Sequence, residues 1–137
     1  MMNNITFEPL KDTDLQYACQ LYEEAFPIEE RRDTSEWLLQ NKQNPLFNIL
    51  CIKQNQTFQG ILSYWTFESF HYIEHFAISP QQRGHGIGCA ALELFMTTRT
   101  QYPIILEVEP DVNDTTHRRI LFYNKHRFHI IEHPYLQ

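Results

Sequence analysis

Glycine, cysteine and basic residues are all scarce in this sequence. The small number of cysteines and the shortage of basic residues each argue against particular classes of protein. The 137 residues include only 4 glycines and 3 cysteines, with 11 Lys and Arg against 17 Asp and Glu. Three cysteines without C-x-x-C spacing argue against a disulfide framework or a zinc ribbon and predict a reducing, cytoplasmic location. The formal net charge of −6 argues against a nucleic-acid partner.

Long apolar runs are also missing. No stretch approaches the roughly 18 residues needed to span a bilayer, so we predict no membrane partner. The N-terminus "MMNNITFEPL" lacks the basic and apolar regions of a signal peptide. A composition that is 42% hydrophobic and 14% aromatic is sufficient for one core, and the length predicts a single domain over residues 1–137.

The apolar periodicity predicts an α/β fold of the order β-α-α-β-β-β-α-β-α-β. We expect a mixed central sheet, with an antiparallel meander first and a parallel β-α-β unit after it, flanked by helices. The predicted strands cover residues 5–11, 47–53, 58–67, 71–79, 103–110 and 127–133, and the predicted helices cover 12–26, 29–41, 86–100 and 113–126.

Several local features are predicted within these elements. Thr13 or Asp14 is expected to cap the first helix, and Pro27 to end it. Residues 103–110 are expected to form a buried interior strand. In the late helix we expect Asp114 or Thr115 as the cap, and burial of residues 120–123 on two sides.

Three of the four glycines stand together in "RGHGIG", residues 83–88, where a helix begins. Glycines allow backbone N–H groups to converge on one point, and a helix N-terminus attracts anions. The motif therefore predicts a phosphate or pyrophosphate site, with Arg83 as an added cation. A glycine-rich turn without any ligand is the plain alternative.

A dinucleotide site is a further alternative, because residues 86–91 satisfy G-x-G-x-x-A and Glu107 or Glu109 could bind a ribose. Against it, the preceding strand carries Glu74 and His75 where an apolar interior run is usual. Gly86 also follows the predicted strand end at Ser79 by seven positions, too many for a tight turn. No Gly-Lys-Ser/Thr follows, which excludes a Walker phosphate loop.

The segment "EHFAISPQQRGHGIGCAAL" resembles the signature of the GNAT superfamily of acyl-CoA-dependent N-acyltransferases. Residues 83–88 fit that family's Q/R-x-x-G-x-G/A loop, and "RRILFYNKHRF" is similar to its late helix. The resemblance covers nearly the whole chain and implies the GNAT fold, with acetyl-CoA as co-substrate. It also implies transfer of an acetyl group to a primary amine, by direct attack in a ternary complex without a covalent enzyme intermediate.

The resemblance assigns cofactor-binding roles to three groups of residues. The backbone of the strand would bind the pantetheine, the loop the pyrophosphate, and two asparagines would touch CoA, although caps or surface amides are their ordinary alternatives. These residues are Phe76, Ala77 and Ile78; Arg83, Gly84, His85, Gly86, Ile87 and Gly88; and Asn113 and Asn124.

The resemblance implies Tyr123 as the acid that protonates the departing thiolate, the alternative being a core aromatic. We expect Glu74 as the base, because strand alternation places it with Tyr72 and Phe76 on the cleft face and His75 on the opposite face. A solvated or arginine-paired Glu74 is the alternative, and many family members use a water chain with no dedicated base.

The acceptor would be a small-molecule or peptide amine. In the family, the first two helices and the strand hairpin shape its pocket. That implies an acidic, aromatic wall suited to an amine cation, although each member could equally be a solvated charge or a core aromatic. The wall would consist of Glu29, Glu30, Trp37, Tyr64 and Trp65. No zinc-finger pattern of His and Cys appears, so no metal site is predicted.

Two departures from the family pattern stand out. The usual glycine after the late helix is Arg127, which predicts a strained or differently shaped turn. Nine residues follow Phe128, enough for one strand, which suggests a shortened C-terminal end with an unpaired edge. We expect either a partner chain that covers this edge, as in a homodimer, or a shortened version of a longer protein.

Two other functions remain open at this stage. A non-catalytic acyl-CoA-binding or sensing domain would have the same fold and bind CoA without turnover. A nucleotide-binding oxidoreductase would bind NAD and not CoA.

Overall fold

The computed structural model describes residues 4–108 and 112–129. The chain divides into two compact units, Met1–Leu106 and Glu107–Gln137. The first unit holds the sheet and three helices, and the second holds the late helix. Most of the predicted last strand, 127–133, falls outside the described residues, so the unpaired edge and the homodimer stay predictions.

The sheet of the first unit has five strands in the order β1-β2-β3-β4-β5. The first four pair antiparallel in sequence, and β5 pairs parallel with β4. This confirms the predicted mixed sheet with a meander followed by a parallel crossover. The strands are β1 Ile5–Pro9, β2 Phe47–Gln54, β3 Thr57–Thr66, β4 His71–Ile78 and β5 Ile104–Leu106.

The four α-helices lie close to their predicted positions, joined in places by short 3-10 turns. They are α1 Leu15–Ala25, α2 Thr34–Gln43, α3 Ile87–Thr98 and α4 Asp114–Lys125. The first helix stops before Pro27, as predicted, because proline disfavours helical backbone in the residue before it. None of these helices, within residues 4–108 and 112–129, is long and apolar enough to cross a bilayer.

A two-residue turn joins β2 to β3. Asn55 and Gln56 have φ angles of 52° and 70°, both in the left-handed region. Positive φ at both central residues is the signature of a type I′ turn, whose twist matches that of antiparallel strands. The predicted hairpin is therefore confirmed, with its turn fixed at these two positions.

The main core lies where α1 and α2 cover one face of the sheet. Tyr22 and Trp37 stack with their ring centroids 3.8 Å apart and their planes almost parallel. Both rings have no exposed surface and pack against Phe47, Ile49 and Ile61 of the sheet. Burial of such aromatic area is a large favourable term in folding.

The other face of the sheet is covered by α3. Phe95 meets Phe7 and Tyr64 edge to face, with centroids 6.1 and 5.0 Å apart. The guanidinium of Arg99 lies 4.4 Å from the ring centre of Phe95 and 5.0 Å from that of Tyr64. This cation over aromatic rings adds to the packing that fixes α3 on the sheet.

A buried ion pair fixes the start of α1 to β2. Asp14 occupies the N-cap position, but its side chain makes no capping bond. Its carboxylate instead lies 2.9 Å from the ammonium of Lys53, and both side chains are nearly buried. Asp14 therefore stands at the predicted cap position but does not cap the helix through its side chain.

Two burial predictions are wrong. Ile105 of β5 is 45% exposed, so the strand predicted over 103–110 is not fully buried. Its place as an interior strand stays a prediction, because residues 109–111 and 130–137 lie outside the described residues. In α4, Ile120 is buried while the next residue, Leu121, is 51% exposed, so the helix is not apolar on two sides.

In the second unit, α4 begins with a capping box. The side chain of Asn113 accepts a hydrogen bond from the N–H of Thr116, and the Thr116 hydroxyl accepts one from the N–H of Asn113. The cap is therefore Asn113, and the prediction of Asp114 or Thr115 is wrong. Asparagine ranks with the best N-cap residues because its short side chain reaches the first-turn amides.

The end of α4 is a Schellman motif. The N–H of Phe128 donates to the carbonyl of Tyr123 at 3.1 Å, and the N–H of Arg127 donates to that of Asn124 at 3.0 Å. The rings of Tyr123 and Phe128 meet edge to face, which is the apolar contact typical of this motif. Arg127 has a φ of 72°, so a non-glycine residue occupies the left-handed position and the predicted strain is present.

Replacing Arg127 with alanine and, separately, with glycine isolates this strain. Both variants remove the side chain, but only glycine relieves the left-handed backbone. We expect the glycine variant to have a free energy of unfolding higher than the alanine variant by about 1 kcal/mol. Urea denaturation of both proteins measures the difference, and equal stabilities would contradict a strained turn.

Candidate functional site

The register of the sheet shifts between β2 and β3 and again between β3 and β4, and the second shift lies beside the candidate site. Ser63 pairs with His75, whereas the next residue of β3, Tyr64, pairs with Ile73, so Glu74 is an extra residue in β4. Such a β-bulge shifts the alternation of side chains by one position. Bulges are frequent next to functional sites because they redirect side chains.

Contacts on the two sides of the bulge show this shift. His71 lies before it and contacts Phe95 of α3, with ring centroids 6.4 Å apart. His75 lies after it and contacts Tyr22 and Phe26 on the opposite face of the sheet, at 4.9 and 4.7 Å. Four residues apart in a regular strand, the two histidines would share one face.

Glu74 and His75 consequently lie on the same side, and the prediction that His75 faces away from Glu74 is wrong. His75 Nδ1 lies 3.6 Å from a carboxylate oxygen of Glu74. Phe76 stands between His75 and Ala77, which both face α1, and so belongs to the opposite face. Its predicted sharing of a face with Glu74 is also wrong, whereas Tyr72 does lie with Glu74.

These side chains line an open cavity of about 310 Å³ in the first unit. One wall comes from β4 and the other from the segment between α1 and α2. The lining residues are Glu29, Glu30, Arg31, Arg32, Tyr72, Glu74 and His75.

Arg32 holds Glu74 in place within this cavity. Its Nη2 and Nε atoms donate to the two carboxylate oxygens of Glu74 at 3.1 and 3.4 Å. Its backbone N–H donates to the Tyr22 hydroxyl at 2.7 Å, which ties the segment to the stacked rings of the core. Glu74 is therefore paired to an arginine, which is one of the alternatives that the sequence left open for it.

His75 is almost fully buried, and its hydrogen bonds define its tautomer. The carbonyl of Glu30, 3.3 Å from Nε2, can only accept, so Nε2 carries the proton. Nδ1 then accepts from the Ser63 hydroxyl at 3.0 Å. Burial lowers the pKa of His75 below its ordinary value, although the nearby Glu74 carboxylate opposes that effect. His75 is therefore neutral near pH 7.

The cavity contains only part of the predicted acceptor wall. Glu29 and Glu30 line it, and Trp65 stands beside it, 5.7 Å below the guanidinium of Arg32. Trp37 is fully buried in the core and Tyr64 faces α3, so neither belongs to this wall. The sequence shows only that these two residues are aromatic, and an aromatic side chain is equally compatible with the core and with the wall of a cavity.

The glycine loop has the geometry expected of an anion site. Gly84 and Gly86 have φ angles of 84° and 77°. A Cβ added at either position would meet no atom within 4 Å, so the space before this backbone is open to a ligand. The loop leads into α3, and Gly86 is its N-cap.

The first turn of α3 contains backbone N–H groups that the hydrogen bonds of the helix itself do not use. The first helical bond runs from the N–H of Ala90 to the carbonyl of Gly86 at 3.0 Å. The amides that precede Ala90, including those of Gly86, Ile87 and Gly88, therefore have no carbonyl of this helix to bind. The residues present fit a phosphate-bearing ligand.

Arg83 connects the loop to β4. Its Nε donates to the carbonyl of Ile78 at 3.3 Å, while the residue remains exposed. His85 is exposed as well, and the Ile87 side chain is buried beneath the loop. Within residues 4–108 and 112–129, the backbone pairing of β4 with β5 extends over His71–Ile73.

Tyr123 and Asn124 lie in the last turns of α4. Burial raises the pKa of Tyr123 to about 12, although Arg119 acts in the opposite direction. The phenol therefore keeps its proton at neutral pH. Asn124 is exposed.

Two of the cysteines are poor nucleophiles. Burial raises the pKa of the Cys51 thiol to about 12 and also raises that of Cys19, which disfavours the reactive thiolate.

Within residues 4–108 and 112–129, no group of three or more His, Cys, Asp or Glu could hold a metal ion.

Comparison with known proteins gives consistent matches. The profile described as "Acetyltransferase (GNAT) family" matches residues 15–128. "Putative acetyltransferase YjbC" of Bacillus subtilis (strain 168) is 31% identical over 109 residues, which are 77% of this chain and 53% of YjbC. The chain thus spans about half the length of this curated relative.

Solved structures match as well. "Putative acetyltransferase from GNAT family from Bacteroides thetaiotaomicron" is 34% identical, with a TM-score of 0.81 over 88% of this chain and 70% of that chain. Ard1 from Thermoplasma volcanium has a TM-score of 0.71 and 20% identity over 94% of this chain and 85% of that chain, which shows a common fold.

The buried His75 predicts a stability that falls with acidification. Because its pKa is lower in the folded protein than its ordinary value near 6.5, the unfolded chain binds the proton first. The free energy of unfolding therefore decreases as the pH falls from about 6.5 to the lowered pKa. His71, whose pKa is lowered by burial and by Arg99, acts in the same direction.

We expect the His75→Gln variant to show a weaker pH dependence than the original protein, measured by urea denaturation between about pH 8 and pH 5. The His85→Gln variant changes an exposed histidine and is expected to keep the original dependence. An unaltered slope in His75→Gln would contradict a neutral buried imidazole.

Proposed function

Because this chain belongs to the acetyltransferase (GNAT) family, we propose that it transfers an acetyl group from acetyl-CoA to a primary amine. The amine attacks directly within a ternary complex. The observation that carries the proposal is the glycine loop, whose open backbone leads into α3 in the connection that follows the bulged strand. Anion binding by the loop and proton transfer in the cavity are the two functions required of the chain.

Acetyl-CoA, when bound, supplies an activated acetyl thioester. The amides of Gly86, Ile87 and Gly88 bind its pyrophosphate, with the partial positive charge of the α3 N-terminus behind them. Arg83 contributes a permanent charge from a position fixed by its bond to Ile78. Gly84 and His85 complete the loop.

Backbone groups of Phe76, Ala77 and Ile78 bind the pantetheine. Support comes from the short β4–β5 pairing, which ends at Ile73. Asn124 contacts CoA through its exposed side chain. Asn113 has a weaker case, because its side-chain oxygen already caps α4.

Glu74 accepts the proton that the acceptor ammonium must lose before its nitrogen can attack. Amines of the lysine type have a reference pKa near 10.4, so they are almost fully charged at neutral pH and need a base. Arg32 orients the Glu74 carboxylate in the cavity, and the neutral His75 lies directly behind it. Glu29, Glu30 and Trp65 surround the incoming amine.

Tyr123 donates the proton that the leaving thiolate needs. A phenol must be protonated to act as an acid, and the Tyr123 phenol carries its proton at neutral pH. The raised pKa of the Cys51 and Cys19 thiols disfavours each of these two as the nucleophile of an acyl-cysteine intermediate.

The first test replaces Tyr123 with phenylalanine. Loss of a general acid lowers kcat by roughly 10²- to 10⁴-fold while the affinity for acetyl-CoA stays unchanged. Release of CoA thiol with a panel of amines gives kcat, and calorimetry gives the affinity. The matched control is Tyr17→Phe, since Tyr17 is exposed and stacks on Phe58 far along the chain from α4.

Two results would overturn the proposal. A protein that binds acetyl-CoA but acetylates no amine would be a sensing domain. A protein that binds NAD and no CoA species would be a nucleotide-binding oxidoreductase.

The second test replaces Gly86 with alanine. Alanine at a φ of 77° costs about 1–2 kcal/mol, which disfavours the loop conformation proposed to bind the pyrophosphate. We expect the affinity for acetyl-CoA to fall about 5- to 30-fold by calorimetry. The control is Gln81→Ala in the exposed turn before the loop, and equal affinities would contradict the assignment.

A further inference from the structure

The cavity beside β4 contains an arginine that the proposed reaction does not use. We propose that the acceptor carries a carboxylate in addition to its amine, and that Arg31 binds this carboxylate. This inference rests on the proposed function and names its substrate class. The acceptor is then a small zwitterion of the amino-acid type.

The two arginines of the cavity differ in what they already bind. Arg32 uses Nε and Nη2 for Glu74. Arg31 uses only Nε, which donates to the carbonyl of Phe26 at 2.9 Å. Within the part of the chain that the structure describes, its Nη groups have no hydrogen-bond partner.

The bond to Phe26 also makes Arg31 suited to recognition. A guanidinium fixed at Nε presents its two Nη groups as a planar pair, which matches the two oxygens of a carboxylate. Arg31 is half-buried, so its side chain has lost part of its freedom before a ligand arrives. A simple amine would leave these donors without an acceptor in a partly dehydrated site.

The remaining charges suit the other end of a zwitterion. Glu29 is exposed and has no ion pair within residues 4–108 and 112–129, and Glu74 faces the same cavity. Glu74 belongs to the β4 wall and Arg31 to the segment between α1 and α2, so a carboxylate and a cation come from the two different walls of the cavity. A volume of about 310 Å³ is at the small end of ligand pockets, as a single amino acid requires.

The test compares two acceptors that differ only by the carboxylate, L-lysine and 1,5-diaminopentane. We expect kcat/KM to be higher for lysine by on the order of ten- to a hundredfold, mainly through KM, because the carboxylate adds charge-assisted hydrogen bonds. In Arg31→Met this preference should fall to about one, while turnover of 1,5-diaminopentane is retained. Arg31→Lys, which keeps the charge but not the planar pair, should give an intermediate preference.

The ratio of the two kcat/KM values does not depend on the fraction of enzyme that is folded. A loss of stability that follows from removing the bond to Phe26 therefore leaves this ratio unchanged. Lys42→Met removes the same charge from the exposed last turn of α2 and should keep the original preference. Equal rates on both acceptors in the original protein, or a preference unchanged in Arg31→Met, would overturn the inference and leave the proposed function intact. Acetylation of neither acceptor, nor of any amine in the wider panel, would overturn the proposed function itself.

Discussion

The extra residue in β4 determines what the cavity on the α1 side contains. In a regular strand Glu74 and His75 would point to opposite faces, and His71 and His75 to the same face. The bulge reverses both relations, so that a carboxylate and a neutral imidazole lie 3.6 Å apart beside Arg32. The strand regains its alternation after the bulge and continues to Ile78, whose carbonyl holds Arg83 at the glycine loop. A single inserted position thus sets the geometry of the cavity.

The hydrophobic core supports this cavity directly. Trp37 is stacked on Tyr22, and the Tyr22 hydroxyl accepts the backbone N–H of Arg32, which in turn holds Glu74. Trp37 therefore acts on the site from within the core, although it was expected in the wall of the cavity. Rigid packing behind a charged pair limits the movement of both partners, which suits the base role proposed for Glu74.

Sequence reasoning succeeded where the signal is local. Pro27 ends α1, the two-residue turn joins β2 to β3, and the glycines cluster where α3 begins, because each of these depends on the backbone preferences of a few neighbouring residues. The family was predicted from the resemblance of residues 74–92 and 118–128 to its motifs, and the mixed sheet from the order of the apolar segments along the chain. The bulge at Glu74 had no such signal, since neither glycine nor proline marks it and the polar pattern of β4 fits a regular strand equally well. The cap at Asn113 could have been predicted from residue preference alone.

The two tryptophans lie in different environments, so their fluorescence reports on different parts of the protein. Trp37 is sealed in the core against Tyr22, so its emission follows the integrity of the packed interior. Trp65 is half-exposed, lies under the guanidinium of Arg32 and stacks on Phe67, so its emission follows events at the cavity. Intrinsic fluorescence can therefore separate occupancy of the cavity from loss of structure in a single label-free titration.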